Sequence, residues 1–294
     1  ILIILTFLLL SIIIYKYNVP IKKMEGFTQI EPFVLKQNNE IYDDFYSDIY
    51  DSLHNTKKRI QPELIEIIQM TEPSTNNSVF LDVGSGTGNM VAELVEAGFD
   101  AYGIEKSNDM ISCTKKQFPE IEIVHADVLD SMMFEKGTFT HILCTYFTIY
   151  NFKNKEKFFR NCYYWMKPNS YLILHLVHPQ KFKQIIPFPN TEITIDDNSN
   201  SNSRILKNRA IFDDFEYNAC YDIPNQDENN KCMCTEMFTD INTNHIRQNE
   251  QTLYMESIDY IINLASLNGF IIKGKSNMNN GDSNQFLYIL ERHM

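Results

Sequence analysis

Apolar and polar positions change period several times along the chain, and each change predicts an element. Residues 1–14, ILIILTFLLLSIII, are apolar on every side, with Thr6 and Ser11 as mild exceptions. A helix without a polar face belongs in lipid or is removed. At about 1.5 Å per residue the stretch reaches roughly 21 Å, short of the roughly 30 Å hydrocarbon core, and Tyr15 and Tyr17 extend it into the interface. YKYNVPIKK follows, with no small-residue cleavage site, so residues 1–17 read as an uncleaved N-terminal membrane anchor. Lys16, Lys22 and Lys23 put the rest of the chain on the cytoplasmic side. Residues 18–40 hold Pro20, Gly26 and Pro32 without a sustained period and read as a linker to one domain over 41–294.

In residues 40–55, Tyr42, Phe45, Tyr46, Ile49, Tyr50 and Leu53 recur at spacings of three and four, predicting a helix with an aromatic face. RIQPELIEIIQM (59–70) predicts a second helix, with Pro62 near its start. From residue 78 short apolar strands alternate with helices: SVFLDV, a helix ending at Gly98, DAYGIE, a helix capped by Ser107 or Asn108, then IEIVHAD. FTHILCTY (139–146), a helix at 155–166 and YLILHLV (171–177) continue the series, which implies a parallel sheet with crossover helices. A helix at 256–269, FIIKGK and QFLYILER (285–292) close the chain, and the short GDSNQ link suits an antiparallel return. Residues 178–255 interrupt the pattern. A polar Asp/Asn/Ser tract at 196–203 reads as a solvated loop, and alternating apolar positions in RAIFDDFEYNACYDI and in 232–255 predict a small antiparallel sheet over the mouth of the site.

Composition narrows the class. At 294 residues and 44% hydrophobic the chain can bury a full α/β core, and a net charge of −12 argues against a long nucleic acid as partner. The six cysteines show no CxxC, and the CxC of Cys232 and Cys234 has no further ligand at metal spacing, so reduced thiols and no metal are expected.

The chemistry concentrates at strand ends, where parallel sheets bind ligands. Asp82, Glu105 and Asp127 end three successive strands, and Gly84, Gly86 and Gly88 follow the first, letting backbone approach a ligand closely. A diphosphate suits this turn poorly. The spacing is not GxGxxG, and Asp82, two residues before the first glycine, would repel a diphosphate. A cationic ligand with ribose hydroxyls and an adenine amine fits better, because a carboxylate accepts through two oxygens.

VFLDVGSGTGNM, YGIEKSNDM, HADVLD, FTHILCTYFTIYNF and WMKPNSYLIL together resemble the motifs of class I S-adenosylmethionine-dependent methyltransferases, of the small-molecule or methyltransferase-domain type. The resemblance runs over roughly 40–180 and resumes from LNGFIIKGK to QFLYILER. It implies a Rossmann-like seven-stranded sheet with the last strand antiparallel, helices on both faces, and S-adenosyl-L-methionine as cofactor. It places Asp82, Gly84 and Gly86 at the methionine part, Glu105 at the ribose, and Asp127 with the Val128 amide at the adenine. Tyr46 and Tyr50 look like the aromatics that close over the cofactor. Ser85, Gly88, Lys106, Met110, Cys144 and Tyr146 complete the implied cofactor set.

An activated methyl needs a nucleophile held in line and kept from water. Tyr146, Phe147 and Tyr150, after the fourth strand, are candidates for ring-face attraction to a sulfonium, with ordinary core packing as the alternative. His178, at the end of the fifth strand, is the candidate base beside Tyr146, against a plain loop role, while His175 reads as core. Phe215, Tyr217, Tyr221 and Arg247 are candidates for the acceptor pocket in the insertion. The expected function is methyl transfer to a small-molecule or protein acceptor by a membrane-tethered enzyme; a binding module without turnover and an NAD-linked oxidoreductase are the alternatives.

Overall fold

The computed structural model describes residues 31–181, 192–196, 203–224, 230–278 and 284–293. The apolar stretch 1–14 and most of the polar tract at 196–203 lie outside the described residues. Among those described, no helix is long and apolar enough to cross a membrane.

Two sheets form the molecule. The larger contains β2 (Val79–Val83), β3 (Asp100–Glu105), β4 (Glu122–His125), β5 (Phe139–Cys144), β6 (Met166–Val177), β12 (Phe270–Asn277) and β13 (Gln285–Arg292). Their order is β12-β13-β6-β5-β2-β3-β4. β2 to β6 pair in parallel, and β13 runs antiparallel to both its neighbours, as the resemblance implied. The order reverses at β2, so its carboxyl end opens a crevice between the crossovers to β3 and β5.

Strand alternation divides two apolar layers. Phe80, Leu143 and Ile173 face the helices α2 (Thr56–Thr71) and α3 (Asn89–Glu96) through Ile60, Leu64, Ile67, Val91 and Leu94. Leu81, Val83, Ile142, Leu172 and Leu174 face the opposite way, toward Phe158, Phe159 and Trp165 of α5 (Lys155–Trp165) and Ile258 and Ile261 of α6 (Ile258–Leu267). A strand buried on both faces must be apolar throughout, so Asp82 in β2, 5% exposed, is the exception with a functional reason.

The preceding helices differ slightly from the periodicity. α1 (Asp44–His54) is capped by the Asp43 side chain on the Tyr46 amide and ends at Asn55, whose left-handed backbone turns the chain directly into α2. α2 therefore starts earlier than 59, and Pro62 lies inside it. α4 (Asn108–Gln117) begins on a Ser107 cap.

The insertion builds a sheet larger than predicted. β8 (Ser203–Ile211), β9 (Phe215–Pro224), β10 (Lys231–Asp240) and β11 (Ile246–Tyr254) form antiparallel neighbours flanked by β7 (Glu192–Asp196) and β1 (Phe33–Gln37), in the order β1-β11-β10-β9-β8-β7. β1 comes from the segment read as linker and pairs in parallel with β11. Its alternation is short and half exposed, which is why it carries no strand signal of its own. The inner face, with Phe215, Tyr217, Tyr221 and Phe238, joins the apolar layer of the larger sheet.

Arg247 of β11 fastens the two sheets. Its guanidinium donates to Asp43 Oδ2 (2.9 Å), to the Ile41 carbonyl (3.0 Å) and to Asn249 Oδ1 (2.9 Å), and lies over the Phe45 ring. The residue predicted for the acceptor pocket is thus a clamp between the insertion and α1, because each of its three guanidinium nitrogens already donates there and it does not line the cavity. Breaking a buried pair from one side leaves the other uncompensated. Arg247→Ala should lower stability by about 3 kcal/mol, read as a lower urea midpoint together with faster proteolysis of residues 203–254; a midpoint equal to that of the wild type would remove the clamp.

Candidate functional site

A cavity of about 490 Å³ lies between the carboxyl ends of β2, β3 and β4, the helix α1 and the inner face of the insertion sheet. Its size falls in the range of about 300–1,000 Å³ common for small-molecule sites. Of the residues predicted for a cofactor, Tyr46, Tyr50, Gly84, Gly86, Glu105, Lys106, Met110, Asp127, Val128 and Tyr146 line it. Asp82 and Ser85 line a smaller space of about 40 Å³ behind the same wall, bounded jointly by Tyr50, Gly84, Gly86, Tyr146 and Thr148.

The glycine turn and the strand-tip acids are held from below. Gly84 and Gly86 have positive φ, and a Cβ on Gly86 would meet Tyr50 Cε1 at 3.9 Å and the Gly84 carbonyl oxygen at 4.0 Å, ordinary contact distances. The Gly86 amide donates to Glu105 Oε2 (3.0 Å), and the Lys106 and Ser107 amides donate to Oε1 (2.7 and 2.8 Å). Three backbone donors therefore aim the Glu105 carboxylate at the cavity wall. Asp127 accepts from the Leu129 amide (2.9 Å) and from Lys106 Nζ (2.8 Å), and these contacts hold its pKa below the ordinary carboxylate value. α1 is locked over the turn because Asp51 accepts from the Thr87 hydroxyl (2.6 Å) and the Asn89 amide (3.0 Å).

Behind the glycine turn the polar atoms lack partners. The Asp82 carboxyl makes no hydrogen bond or ion pair among the described residues, and burial raises its pKa to about 8, against the pull of nearby Arg59 and with Glu63 and Glu105 adding repulsion. Thr56 Oγ1, Arg59 Nε and Ser85 Oγ are buried and unsatisfied, and all three residues border the same small space. An unsatisfied buried donor costs about 1–3 kcal/mol, so such a cluster points to a ligand with complementary groups. Arg59 is otherwise fixed by Glu63 (3.1 Å) and lies 3.7 Å over the Tyr146 ring.

On the insertion side a chain of polar contacts lines the cavity. Tyr146 Oη lies 2.9 Å from His54 Nδ1, His54 Nε2 lies 3.4 Å from Tyr46 Oη, and Tyr46 donates to Glu236 Oε1 at 3.0 Å. Tyr217 also donates to Oε1 (2.7 Å) and Asn249 to Oε2 (3.2 Å). Burial lowers the His54 pKa to about 3, with Arg59 pushing the same way, and raises that of Glu236. Tyr146 and Phe147 both have positive φ, an unusual pair for bulky residues at the tip of β5.

Several predicted residues stand elsewhere. His178 does not line the cavity; its amide bonds the Asn284 carbonyl and its ring packs on Phe286, because β6 carries it past the mouth of the site. Cys144 is fully buried among the aromatics opposite Asp82, since alternation turns it away. Gly88 serves packing, as a Cβ there would meet Thr114 at 2.5 Å. Tyr150 is buried with its hydroxyl taking the Val177 amide, whereas Phe147 does reach the cavity. Phe215 and Tyr217 sit inside the insertion sheet, and of the predicted pocket residues there only Tyr221 lines the cavity. His54, Thr56, Arg59 and Glu236 were not singled out from sequence. Only Arg59, four residues before Glu63 on an otherwise apolar helix face, left a local signal.

Residues 81–174 match the family model described as a methyltransferase domain. A curated protein of Anoxybacillus flavithermus called an uncharacterized methyltransferase is 28% identical over 116 residues, which is 40% of this chain; the chain spans about half (48%) of that relative's length. Among solved structures, the CcbJ methyltransferase from Streptomyces caelestis superposes with a TM-score of 0.67 at 11% identity, covering 86% of this chain and 98% of that one. An S-adenosylmethionine-dependent methyltransferase from Clostridium acetobutylicum follows at 0.56 and 16%, covering 85% and 98%. CalS10, an amino pentose methyltransferase from Micromonospora echinaspora solved with S-adenosylmethionine bound, gives 0.54 and 14%, covering 83% and 96%.

The partnerless Asp82 makes a stability test. With a folded pKa near 8 and an ordinary unfolded one of about 3.9, the native state keeps a proton that the unfolded chain releases, so stability falls as pH rises between those values. Asp82→Asn removes that loss. Its advantage over wild type in urea unfolding should be larger at pH 8 than at pH 5; an equal difference at both would mean that Asp82 is not held protonated.

Proposed function

We propose that this chain, whose residues 81–174 match the methyltransferase-domain family model, is a class I S-adenosylmethionine-dependent enzyme that transfers a methyl group from S-adenosyl-L-methionine to a small hydroxylated acceptor. The observation that carries this reading is one cavity with two unlike halves. The glycine turn and the strand-tip acids wall one half, and the insertion sheet walls the other.

The residues present fit the methyl donor. Its amino-acid end bears a carboxylate and an ammonium, which would satisfy the orphaned Thr56, Ser85 and Arg59 donors and the partnerless Asp82 carboxyl. Glu105 would take the ribose hydroxyls, and the Val128 amide with Asp127 the adenine edge. When bound, the donor supplies a methyl group already activated on a sulfonium. The protein's part is to orient the two substrates and exclude water, an orientation effect worth several kcal/mol. Tyr46, Tyr50, Tyr146 and Phe147 present ring surface in the cavity, where an apolar wall strengthens attraction to a cation.

The acceptor half supports a hydroxylated ligand. Asn38, Asn39, Asn151 and Gln251 line it beside Thr252 and Tyr254, and side-chain amides and hydroxyls both donate and accept. An amino pentose, the acceptor class of one structural neighbour, has that character.

Titration calorimetry of the full chain tests the donor. S-adenosylhomocysteine should bind, and Glu105→Ala should weaken it about 10- to 100-fold through lost charged hydrogen bonds. At pH 7 binding should release a proton from Asp82, so the measured enthalpy varies with the buffer's heat of ionisation. Binding of NAD in its place would overturn the reading, and donor binding without methyl-label transfer to any component of a small-metabolite extract would favour a binding module.

A further inference from the structure

Four side chains from three distant parts of the chain meet at the wall of the cavity, between the glycine turn and the insertion sheet: Tyr46 and His54 of α1, Tyr146 at the tip of β5, and Glu236 of β10. Their contacts run in series, 2.9 Å from Tyr146 to His54, 3.4 Å from His54 to Tyr46 and 3.0 Å from Tyr46 to Glu236. The direction of every donor follows from the far end. A carboxylate only accepts, so Tyr46 spends its single hydrogen on Glu236 and must accept from His54 Nε2–H. His54 is neutral, because burial and Arg59 keep its pKa near 3, so one ring nitrogen carries a proton and the other does not. With Nε2 protonated, Nδ1 is an acceptor, and the Tyr146 hydroxyl donates to it.

We propose that this series is a proton relay: Tyr146 is the catalytic residue that takes the proton of an acceptor's N–H or O–H group, and His54, Tyr46 and Glu236 are positioning residues that carry the charge away. The inference rests on the methyl-transfer reading and extends it to the acceptor, which must lose a proton on reaction. As the acceptor's nitrogen or oxygen bonds the methyl carbon, the carbon–sulfur bond breaks, its electron pair stays on sulfur, and the acceptor's own proton becomes acidic. That proton passes to Tyr146 Oη while the phenol's passes to His54 Nδ1. His54 Nε2–H passes to Tyr46, and the Tyr46 proton ends on the Glu236 carboxylate. No phenolate need accumulate, which matters because burial raises the Tyr46 and Tyr146 pKa values far above that of a free phenol. The raised pKa of Glu236 makes it a better terminal acceptor than a solvated carboxylate. His178, the base expected from sequence, is outside the cavity.

The surroundings of Glu236 supply a test independent of turnover. Asn249 Oδ1 is committed to Arg247 Nε at 2.9 Å, so the Asn249 amide must donate to residue 236. In Glu236→Gln the carbonyl therefore stays toward Asn249, and the new NH₂ faces the Tyr46 and Tyr217 hydroxyls. The series then reverses. The amide donates to Tyr46, Tyr46 to His54 Nε2, and His54 Nδ1–H to Tyr146.

Nitrogen-15 NMR of histidine-labelled full chain, with and without S-adenosylhomocysteine, reads this directly. In the wild type His54 should be the Nε2–H tautomer and remain neutral at pH 5, with Arg59 and Glu63 of α2, Glu236, and the phenols Tyr46, Tyr50 and Tyr146 as its ionisable neighbours. Glu236→Gln should switch it to Nδ1–H, and Tyr146→Phe should shift the Nδ1 signal alone. A switch that a packing role would not produce supports the relay. An Nδ1–H tautomer in the wild type, or no switch in a folded Glu236→Gln protein, overturns it. Failure of S-adenosylhomocysteine to bind the wild type would instead sink the methyl-transfer reading and leave the tautomer result standing. Where the extract assay shows wild-type label transfer, Tyr146→Phe, which keeps the ring, should cut it at least 100-fold at saturating S-adenosyl-L-methionine, and wild-type transfer in that variant would also overturn the relay.

Discussion

Glu236 is a carboxylate buried between two sheets, and the arrangement of the insertion over the larger sheet depends on satisfying it. A buried carboxylate without partners loses several kcal/mol of solvation. Here it accepts from Tyr46, Tyr217 and Asn249, one donor from the helical prelude and two from its own sheet. Asn249 can serve only because Arg247 fixes its carbonyl oxygen, and Arg247 in turn holds the Asp43 cap and the last turn before α1. One polar requirement thus sets where the insertion sits, where α1 begins and which way Tyr46 points. Apolar packing alone would leave that register loose, since aromatic faces tolerate sliding more than directed hydrogen bonds do.

The two halves of the cavity were unequally legible in the sequence, for a physical reason. The donor half is built from neighbours in sequence. Asp82, the glycines, Glu105 and Asp127 occupy successive strand ends, and a repeating strand and helix pattern fixes their meeting place before any contact is known. The seven strands of the large sheet and its antiparallel last strand followed from the same pattern and the family resemblance, whereas their order is read from the structure. In the acceptor half, Tyr46 and Glu236 are 190 residues apart, and no period relates them. His54 read as the end of an amphipathic helix, and Glu236 as one polar position on an alternating strand. His178 was chosen because it ends a strand, yet β6 runs on past the cavity, so position in the pattern was an imperfect guide to position in space. β1 shows the same limit: it is a strand because β11 offers it an edge.

The backbone at the tip of β5 belongs to this joint. Tyr146 and Phe147 both adopt left-handed conformations that cost of order 1–3 kcal/mol each for such residues. The return is placement: the Tyr146 ring lies under Arg59, its hydroxyl reaches His54, and Phe147 borders the cavity beside it. A relaxed extended backbone would send these rings to opposite sides of the chain. Arg59 therefore ties the donor half to the acceptor half, through its place in the space around Asp82 and through its contact with Tyr146.

Asp82 and Glu236 mark the two ends of that connection and solve burial in opposite ways. The Asp82 carboxyl has no hydrogen-bond partner, and burial raises its pKa to about 8, a charge cost that a cationic ligand would offset. Glu236 has three donors, so its charge is tolerated in the absence of any ligand, and its raised pKa leaves it ready to take up a proton. Exchanging their environments would defeat both. A fully bonded Asp82 would offer nothing to an ammonium, and a partnerless Glu236 would already hold a proton and could accept no other. The difference between the two carboxyls is what makes one side of the cavity a place to receive charge and the other a place to deliver it.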